Sequence, residues 1–220
     1  ACDGRDHVKF ANQAYAGYVL ARVNRAPLGT LRALYDNERG KSLTGLPLVH
    51  LGIALSLQGD KNRGAKAITE GFAKTGDRPE YLGDYGTKLR DDALMIALVH
   101  ERKLAKPEFD RRAISLGREL DARRNSGWLW LSTQEQVALA RLGKALMVDQ
   151  KKLVSGQWSI GGDAQAVAPV RLFGRSVDHA ALARGVRFVP EGSPPLYASL
   201  DVAGIPRSGP APDNRQIGIG

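Results

Sequence analysis

The stretch that decides the fold is STQEQVALARLGKALMVDQKKLVSGQWSI, residues 132–160. Its first half reads as a helix. Ser132-Thr133-Gln134-Glu135 has the form of a capping box, in which the serine oxygen caps the glutamate amide and the glutamate reaches back. Val137, Leu139, Ala140, Leu142, Leu146 and Met147 then predict a buried helical face to about residue 148. Leu131, just ahead of the cap, is placed for a hydrophobic staple. The second half differs. From Lys152 to Ile160, Leu153, Val154, Trp158 and Ile160 are mixed with small polar residues, as in a strand. A helical apolar period gives way to alternation near residue 150.

Upstream, the same helical texture recurs. Residues 8–24 place Phe10, Ala14 and Tyr18 or Ala21 at three- and four-residue spacing. Pro27 sits where the first turn of the next helix begins. Leu28, Leu31, Leu34 and Tyr35 give that helix an apolar face, and Gly40 is placed as its C-cap. Leu46–Leu57, LPLVHLGIALSL, is nearly all apolar; its length and Leu/Ala content favour a fully buried helix over a strand. Gly59-Asp60 turns the chain into a shorter helix carrying Ala65, Ala67, Ile68 and Phe72. The small residues Gly52, Ala54, Gly64, Ala65 and Ala67 let these two helices approach closely. This pair resembles a helical repeat, yet no consensus of that period recurs.

Residues 75–86 form a Gly-, Asp- and Tyr-rich loop. Thr87 then caps a helix with Arg90 and Asp91 in its first turn and Leu94, Ile96, Ala97, Leu98 and Leu104 in its core. Pro107 starts another, carrying Phe109, Ala113, Ile114, Leu116 and Leu120, which Asn125-Ser126-Gly127 breaks. Trp128 and Trp130 seal helix ends against a neighbour; ring-exposing aromatics of a carbohydrate platform look the same in sequence.

Downstream, Val170, Leu172 and Phe173 suggest a strand, as do Val186, Phe188 and Val189, and residues 196–202 alternate with period two. These read as antiparallel strands of a sandwich. Pro206 to Asn214 is an extended linker or loop, and the chain looks cut from something larger. The expected fold class is therefore mostly α: a partial domain of paired helices, α/α toroid-like, followed by a small antiparallel β segment.

Composition narrows the function classes. The hydrophobic fraction of 43% supports a real core. No segment has the roughly 18 uninterrupted apolar residues of a membrane helix. The net charge of +9 is dispersed. Arg102-Lys103, Arg111-Arg112, Arg123-Arg124 and Lys151-Lys152 are not interleaved with aromatics, so a nucleic-acid partner is not expected. One cysteine, Cys2, excludes an internal disulfide and a multi-cysteine zinc site.

Catalytic and metal constellations are thin. His50 and His100 lie in strongly apolar helices, where a histidine bonded to a backbone carbonyl is the expected state. With His7 and His179 they form no H-E-x-x-H pair, so no metal and no cofactor is expected. Asp91 and Asp92, adjacent in sequence, do not face each other on a helix; they complement the positive end of its dipole. A glycosidase-like pairing of Asp84 with Asp92, or Glu80 with Asp91, needs a separation of about 5–9 Å that only the fold can show. Cys2, with Asp3 and His7 nearby, has nothing to orient it as an activated thiolate. No catalytic residue is assigned.

Three segments carry a family resemblance. Gly127–Gln136, GWLWLSTQEQ, followed by Ala138-Leu139, resembles the last helices of the thioester domain of bacterial alpha-2-macroglobulins. Asp84-Tyr85-Gly86 with Arg90-Asp91-Asp92-Ala93-Leu94 resembles an earlier loop and helix of that domain. Residues 195–204, PLYASLDVAG, resemble the strand leading to the C-terminal sandwich domains. The order matches the family.

The resemblance implies a large periplasmic, protease-trapping inhibitor, tethered to the inner membrane through a lipidated N-terminus. Bait cleavage would trigger rearrangement, and a strained Cys–Gln thioester would capture a lysine of the attacker. It further implies residues 1–149 as the C-terminal part of an α/α-toroid thioester-like domain. Residues 150–205 become a β-sandwich (CUB-like) segment, and 206–220 a linker or the start of the next macroglobulin-like domain. The expected partners are target proteases through the full-length parent, neighbouring macroglobulin domains, and other periplasmic proteins. The chain departs from the family at the thioester motif, a Cys-Leu-Glu-Gln segment. Cys2 is followed three residues later by Arg5, and Gln134-Glu135-Gln136 has no cysteine partner. The motif therefore lies upstream of Ala1 in the parent, or the parent lacks it. The expected role is structural, without catalysis. The alternatives are a glycosidase-like toroid enzyme using Asp84, Asp91 and Asp92, or a helical-repeat binding scaffold.

Overall fold

Up to residue 149 the described chain is a succession of seven α-helices: α1 (Gly4–Arg22), α2 (Leu28–Glu38), α3 (Leu46–Leu57), α4 (Lys61–Ala73), α5 (Lys88–Glu101), α6 (Pro107–Asn125) and α7 (Thr133–Asp149). The structure, a computed structural model, describes residues 4–74, 78, 82, 84–127, 130–149, 153–192 and 204. It divides into two units, residues 1–151 and 152–220.

In the helical unit α1, α3, α5 and α7 pack in series, α1 on α3, α3 on α5, and α5 on α7; α2, α4 and α6 flank them. Burial follows that order. α3 buries nine of its twelve residues and α5 eleven of fourteen. α2 buries only Leu31, Leu34 and Tyr35, and α6 only Phe109, Ala113 and Leu116. A helix between two neighbours is apolar all round, whereas a flanking helix needs one stripe. α1 presents such a stripe: His7, Phe10, Ala14, Tyr18 and Ala21. Phe72 of α4 stacks on Phe109 of α6, ring centroids 3.9 Å apart.

The α3–α4 contact depends on missing side chains. A Cβ at Gly52 would lie 2.7 Å from the Gly64 carbonyl oxygen, and one at Gly64 would lie 2.7 Å from that of Gly52. Backbone meets backbone, so no rotamer change could relieve a larger residue. Ala65, by contrast, is exposed and takes no part in the close approach.

Several local expectations need correction. The buried stripe of α7 is Ala138, Leu142 and Ala145, with Leu139 and Leu146 packed partly against the core. Val137 and Met147 are on the outer face, 67% and 76% exposed. The leucines alone set a face rotated from the true one, which the small alanines line. Leu131 forms no staple: the facing position in the helix is Gln136, whose Nε2 donates to the Leu131 carbonyl at 2.9 Å. Gly40 does not cap α2. The helix ends at Arg39 in right-handed conformation and tightens into a 3-10 turn, Arg39–Lys41. Pro27 stands at the N-cap, one residue before the first turn. Trp130 is 74% exposed and seals nothing among the described residues; Trp128 lies outside them.

The second unit is a three-stranded antiparallel sheet in the order β2-β1-β3: β1 (Val154–Ile160), β2 (Asp163–Val170) and β3 (Val186–Pro190), with a short helix, α8 (His179–Ala183), before β3. Gly161 and Gly162, at φ of 60° and 101°, make the two-residue turn from β1 to β2. A two-residue hairpin of the type that matches strand twist needs positive φ at both positions, which glycine adopts without strain. Trp158 pairs with Phe188 across β1 and β3. Phe173 packs on both rings, at 5.6 and 5.3 Å.

Here too expectation and structure differ. Leu172 and Phe173 lie beyond the end of β2 at Val170, and Leu172 is 88% exposed. Phe173 turns back onto the aromatic pair instead of extending the strand. The described residues contain one three-stranded sheet. Residues 196–202 and 206–220, read as a strand and a linker, lie outside the described residues.

Candidate functional site

The polar residues singled out by sequence gather at the start of α5. Thr87 is its N-cap: Oγ1 accepts from the Arg90 amide at 3.1 Å. The next turn carries Arg90, Asp91 and Asp92, all buried. Arg90 Nε donates to Asp91 Oδ1 at 2.9 Å, and its Nη2 to the same oxygen at 2.6 Å and to Asp84 Oδ2 at 3.1 Å. Arg78 Nη1 donates to Asp91 Oδ2 at 2.5 Å, and its Nη2 pairs with Asp84. Two guanidiniums and two carboxylates thus form one charge-balanced group. Asp92 takes Lys88 Nζ at 2.8 Å and Arg112 Nη1 at 3.6 Å.

Protonation follows environment. Burial pushes the Asp91 carboxyl up, against the pull of the Arg90 and Arg78 guanidiniums. Burial pushes on Asp84 as well, but Arg78, the Gly86 amide and Arg90 outweigh it and hold it below the usual carboxylate range. Two acids pushed apart are the signature of an acid–base pair. Here, though, both Asp91 oxygens and both Asp84 oxygens are committed to guanidiniums. A glycosidase requires a free acid and a free base facing a substrate. Asp91 and Asp92 line a cleft of about 270 Å³ together with Thr44, Lys74, Arg78 and Lys88. What the geometry offers there is a clamp on the first turn of α5. Glu80, the other acid read as a partner for Asp91, lies outside the described residues.

The starts of α5 and α7 are tied together. Glu135 forms the expected capping box, accepting from the Ser132 amide at 2.8 Å and Oγ at 3.0 Å, while its own amide donates to Ser132 Oγ at 3.3 Å. Its other oxygen accepts from Thr87 Oγ1 at 2.8 Å. Burial raises the Glu135 carboxyl, but these donors outweigh it and the net direction is down. Sequence identifies both caps; that they bond to each other is tertiary information, and no local signal marks it. Arg78, equally central, falls in a loop whose composition does not single it out.

The histidines are accounted for one by one. His7 Nδ1 accepts from the Leu43 amide at 3.1 Å, so this nitrogen carries no proton, and burial lowers the ring's pKa. Cys2 and Asp3 lie outside the described residues. His100 Nε2 meets Asp110 Oδ1 at 2.9 Å. His50 stacks on Tyr18, ring centroids 5.2 Å apart, and meets Tyr15 edge-on at the same distance. Burial first, then the Arg141 and Arg90 charges, push its pKa down to about 3. His179 opens α8. Among the described residues no three metal-binding side chains converge, and no helix is long and apolar enough to cross a membrane.

No family model matches the chain. It is 65% identical over 216 residues to an alpha-2-macroglobulin of Xylella fastidiosa, covering 98% of this chain and 13% of that protein. Its fold is similar to that of a Salmonella alpha-2-macroglobulin reacted with methylamine, at a TM-score of 0.64 and 36% identity, over 86% of this chain and 12% of the other. A trypsin-activated alpha-2-macroglobulin from Escherichia coli is similar at a TM-score of 0.58 and 37% identity, over 76% and 11%. The chain thus spans about an eighth of the length of the relatives it matches.

Proposed function

Because this chain belongs to the bacterial alpha-2-macroglobulin family, we propose that it is a segment of a protease-trapping inhibitor and contributes structure and contacts, not catalysis. The observation that carries the reading is the 65% identity across nearly the whole chain to an alpha-2-macroglobulin. The trypsin-activated relative supports proteases as the targets of the full-length protein. The relative reacted with methylamine supports an amine-reactive acyl group in the family, which a Cys–Gln thioester would supply. Such a group must come from outside these residues, since Cys2 has Arg5 and not glutamine three positions on. The helical unit is then the later part of the thioester-bearing domain, and the sheet belongs to the β segment that follows it in the chain. We place the full-length protein in the periplasm, anchored to the inner membrane by a lipidated N-terminus.

The committed state of Asp84 and Asp91 supports a structural role over a glycosidase-like one. A charge-balanced clamp rigidifies a helix start without presenting a free acid. The test is to incubate the full-length protein with trypsin and assay the mixture on casein and on a small chromogenic peptide. A trap is expected to suppress casein cleavage while peptide cleavage persists, and the 220-residue chain alone to suppress neither. Equal residual activity on both substrates would refute trapping.

A further inference from the structure

One surface of the helical unit is cationic and aromatic and belongs to neither the clamp nor the helix caps. Tyr18 of α1 is buried, with His50 stacked against it at 5.2 Å. Around the same ring lie Arg22 at 6.0 Å, from the last turn of α1, and Arg102 at 5.9 Å, just past α5. Arg141 of α7 grips Glu101 with two bonds, at 2.7 and 2.8 Å. Glu101 is held below its usual carboxylate range first by Arg141, with Arg102 and Arg22 adding to the pull. One carboxylate is therefore bonded to Arg141 and drawn by the charges of Arg102 and Arg22. Beside them α1 exposes Tyr15 at 55% and Val19 at 42%, one turn apart.

One donor is also under-used. Arg102 Nε is buried without a hydrogen-bond partner among the described residues, a costly state for a polar group. Cation–π contact with Tyr18 holds Arg22 and Arg102 over the ring. Arginine beside tyrosine, with excess positive charge and adjoining apolar area, is the composition of an interface centre.

We propose that Arg22, Arg102 and Arg141, set around Tyr15, Tyr18 and His50, dock a carboxylate-bearing segment of the same full-length polypeptide. The occupant is acidic because the patch carries a surplus of cations. It is in cis because the chain spans about an eighth of its relatives' length, and a tethered partner enjoys a high effective concentration. This inference rests on the reading of the chain as a segment of a larger protein.

Two measurements test it. The first is phenylglyoxal labelling of the full-length protein and of the 220-residue chain, resolved by residue with mass spectrometry. Arg22 and Arg102 are expected to react roughly tenfold more slowly in the full-length protein, while exposed Arg118 of α6 reacts equally in both. Equal reactivity of Arg22 overturns the proposal. So does protection of the free chain that grows with its concentration, which would assign the face to a second copy. The second measurement is zero-length carbodiimide cross-linking of full-length R22K and R102K. A link to an Asp or Glu outside these 220 residues is expected. Protection without any such link overturns the acidic occupant. Loss of protease trapping with protection and cross-link intact would sink the functional reading and leave this one standing.

Discussion

Between α3 and α4 the helices touch through what is absent, Gly52 against the Gly64 carbonyl and the reverse, each hypothetical Cβ falling 2.7 Å away. Between the starts of α5 and α7 they touch through what is present, a Thr87 hydroxyl on a Glu135 carboxylate at 2.8 Å, beside the arginine clamp on Asp91. The first contact is steric and tolerates no added atom. The second is directional, holds charge in a partly buried place, and responds to pH. The same unit is thus joined by two kinds of bond with different failure modes.

The sharpest way to break the first kind is Gly52→Val. The new side chain meets backbone that cannot rotate away, so the helices must separate. We expect a loss of about 3 kcal/mol or more, read as a lowered urea midpoint for the 220-residue chain. A cost below about 1 kcal/mol would mean that the seam is loose and the comparison false.

The second kind is broken by Asp91→Ala. Arg78 and Arg90, whose side chains are 8% and 11% exposed, would lose one of the two carboxylates that join them and keep only Asp84. Removing one partner of a buried pair costs about 3–5 kcal/mol; the adjoining cleft admits water, so we expect about 2–3. Asp91→Ala in an R78A background should cost clearly less than in the native chain. Equal costs would show that the clamp is not one unit.

The pH response sharpens the comparison. The folded-state pKa of His50 is pushed down to about 3, against about 6.5 in an unfolded chain. Above pH 6.5 the ring is neutral in both states and the full stability is present. Below it the unfolded chain takes up a proton that the folded one refuses, so stability falls by about 1.4 kcal/mol per pH unit. From pH 6.5 to 5 that is about 2 kcal/mol. His7, also lowered, tilts the curve the same way. His50→Phe keeps an aromatic ring against Tyr18 and should flatten part of the slope. An unchanged slope would remove His50 from the account.

The two kinds of contact were unequally legible in sequence. LPLVHLGIALSL announces a buried helix, and Gly52 and Gly64 announce a close approach, because small size acts locally and is visible in composition. Both helix caps were legible for the same reason: Thr87–Arg90 and Ser132–Glu135 are three-residue bonds. The Thr87–Glu135 bond spans 48 residues, and no local pattern encodes it. The face of α7 is not legible from its large apolar residues, because alanines form its buried stripe while Val137 points outward. The β1–β2 hairpin was hidden by the Ala- and Gln-rich DAQAVAPV of β2, although Gly161-Gly162 is a strong turn signal. Composition suggested a free pair of acids as easily as a clamped one, since the arginines that decide between them come from different elements.

Glu135→Gln is the smallest perturbation and tests the bridge directly. The carboxylate accepts from three donors, Thr87 Oγ1 on one oxygen and the Ser132 amide and hydroxyl on the other. Glutamine keeps the shape but offers one acceptor oxygen, so at least one donor is left facing an NH₂ group. The expected cost is about 1–2 kcal/mol at neutral pH. Because the folded-state pKa lies below its ordinary value, the contribution of Glu135 is fully present above about pH 4.5. It is lost as the pH falls through the folded pKa, so the difference between native and variant should narrow in acid. Thr87→Val completes a double-mutant cycle. If the two helix starts are coupled, Glu135→Gln should cost at least about 0.5 kcal/mol less in the valine background. Additivity would mean that α5 and α7 are held by Ala138, Leu142 and their apolar neighbours alone, and that the bond across their ends adds geometry without stability.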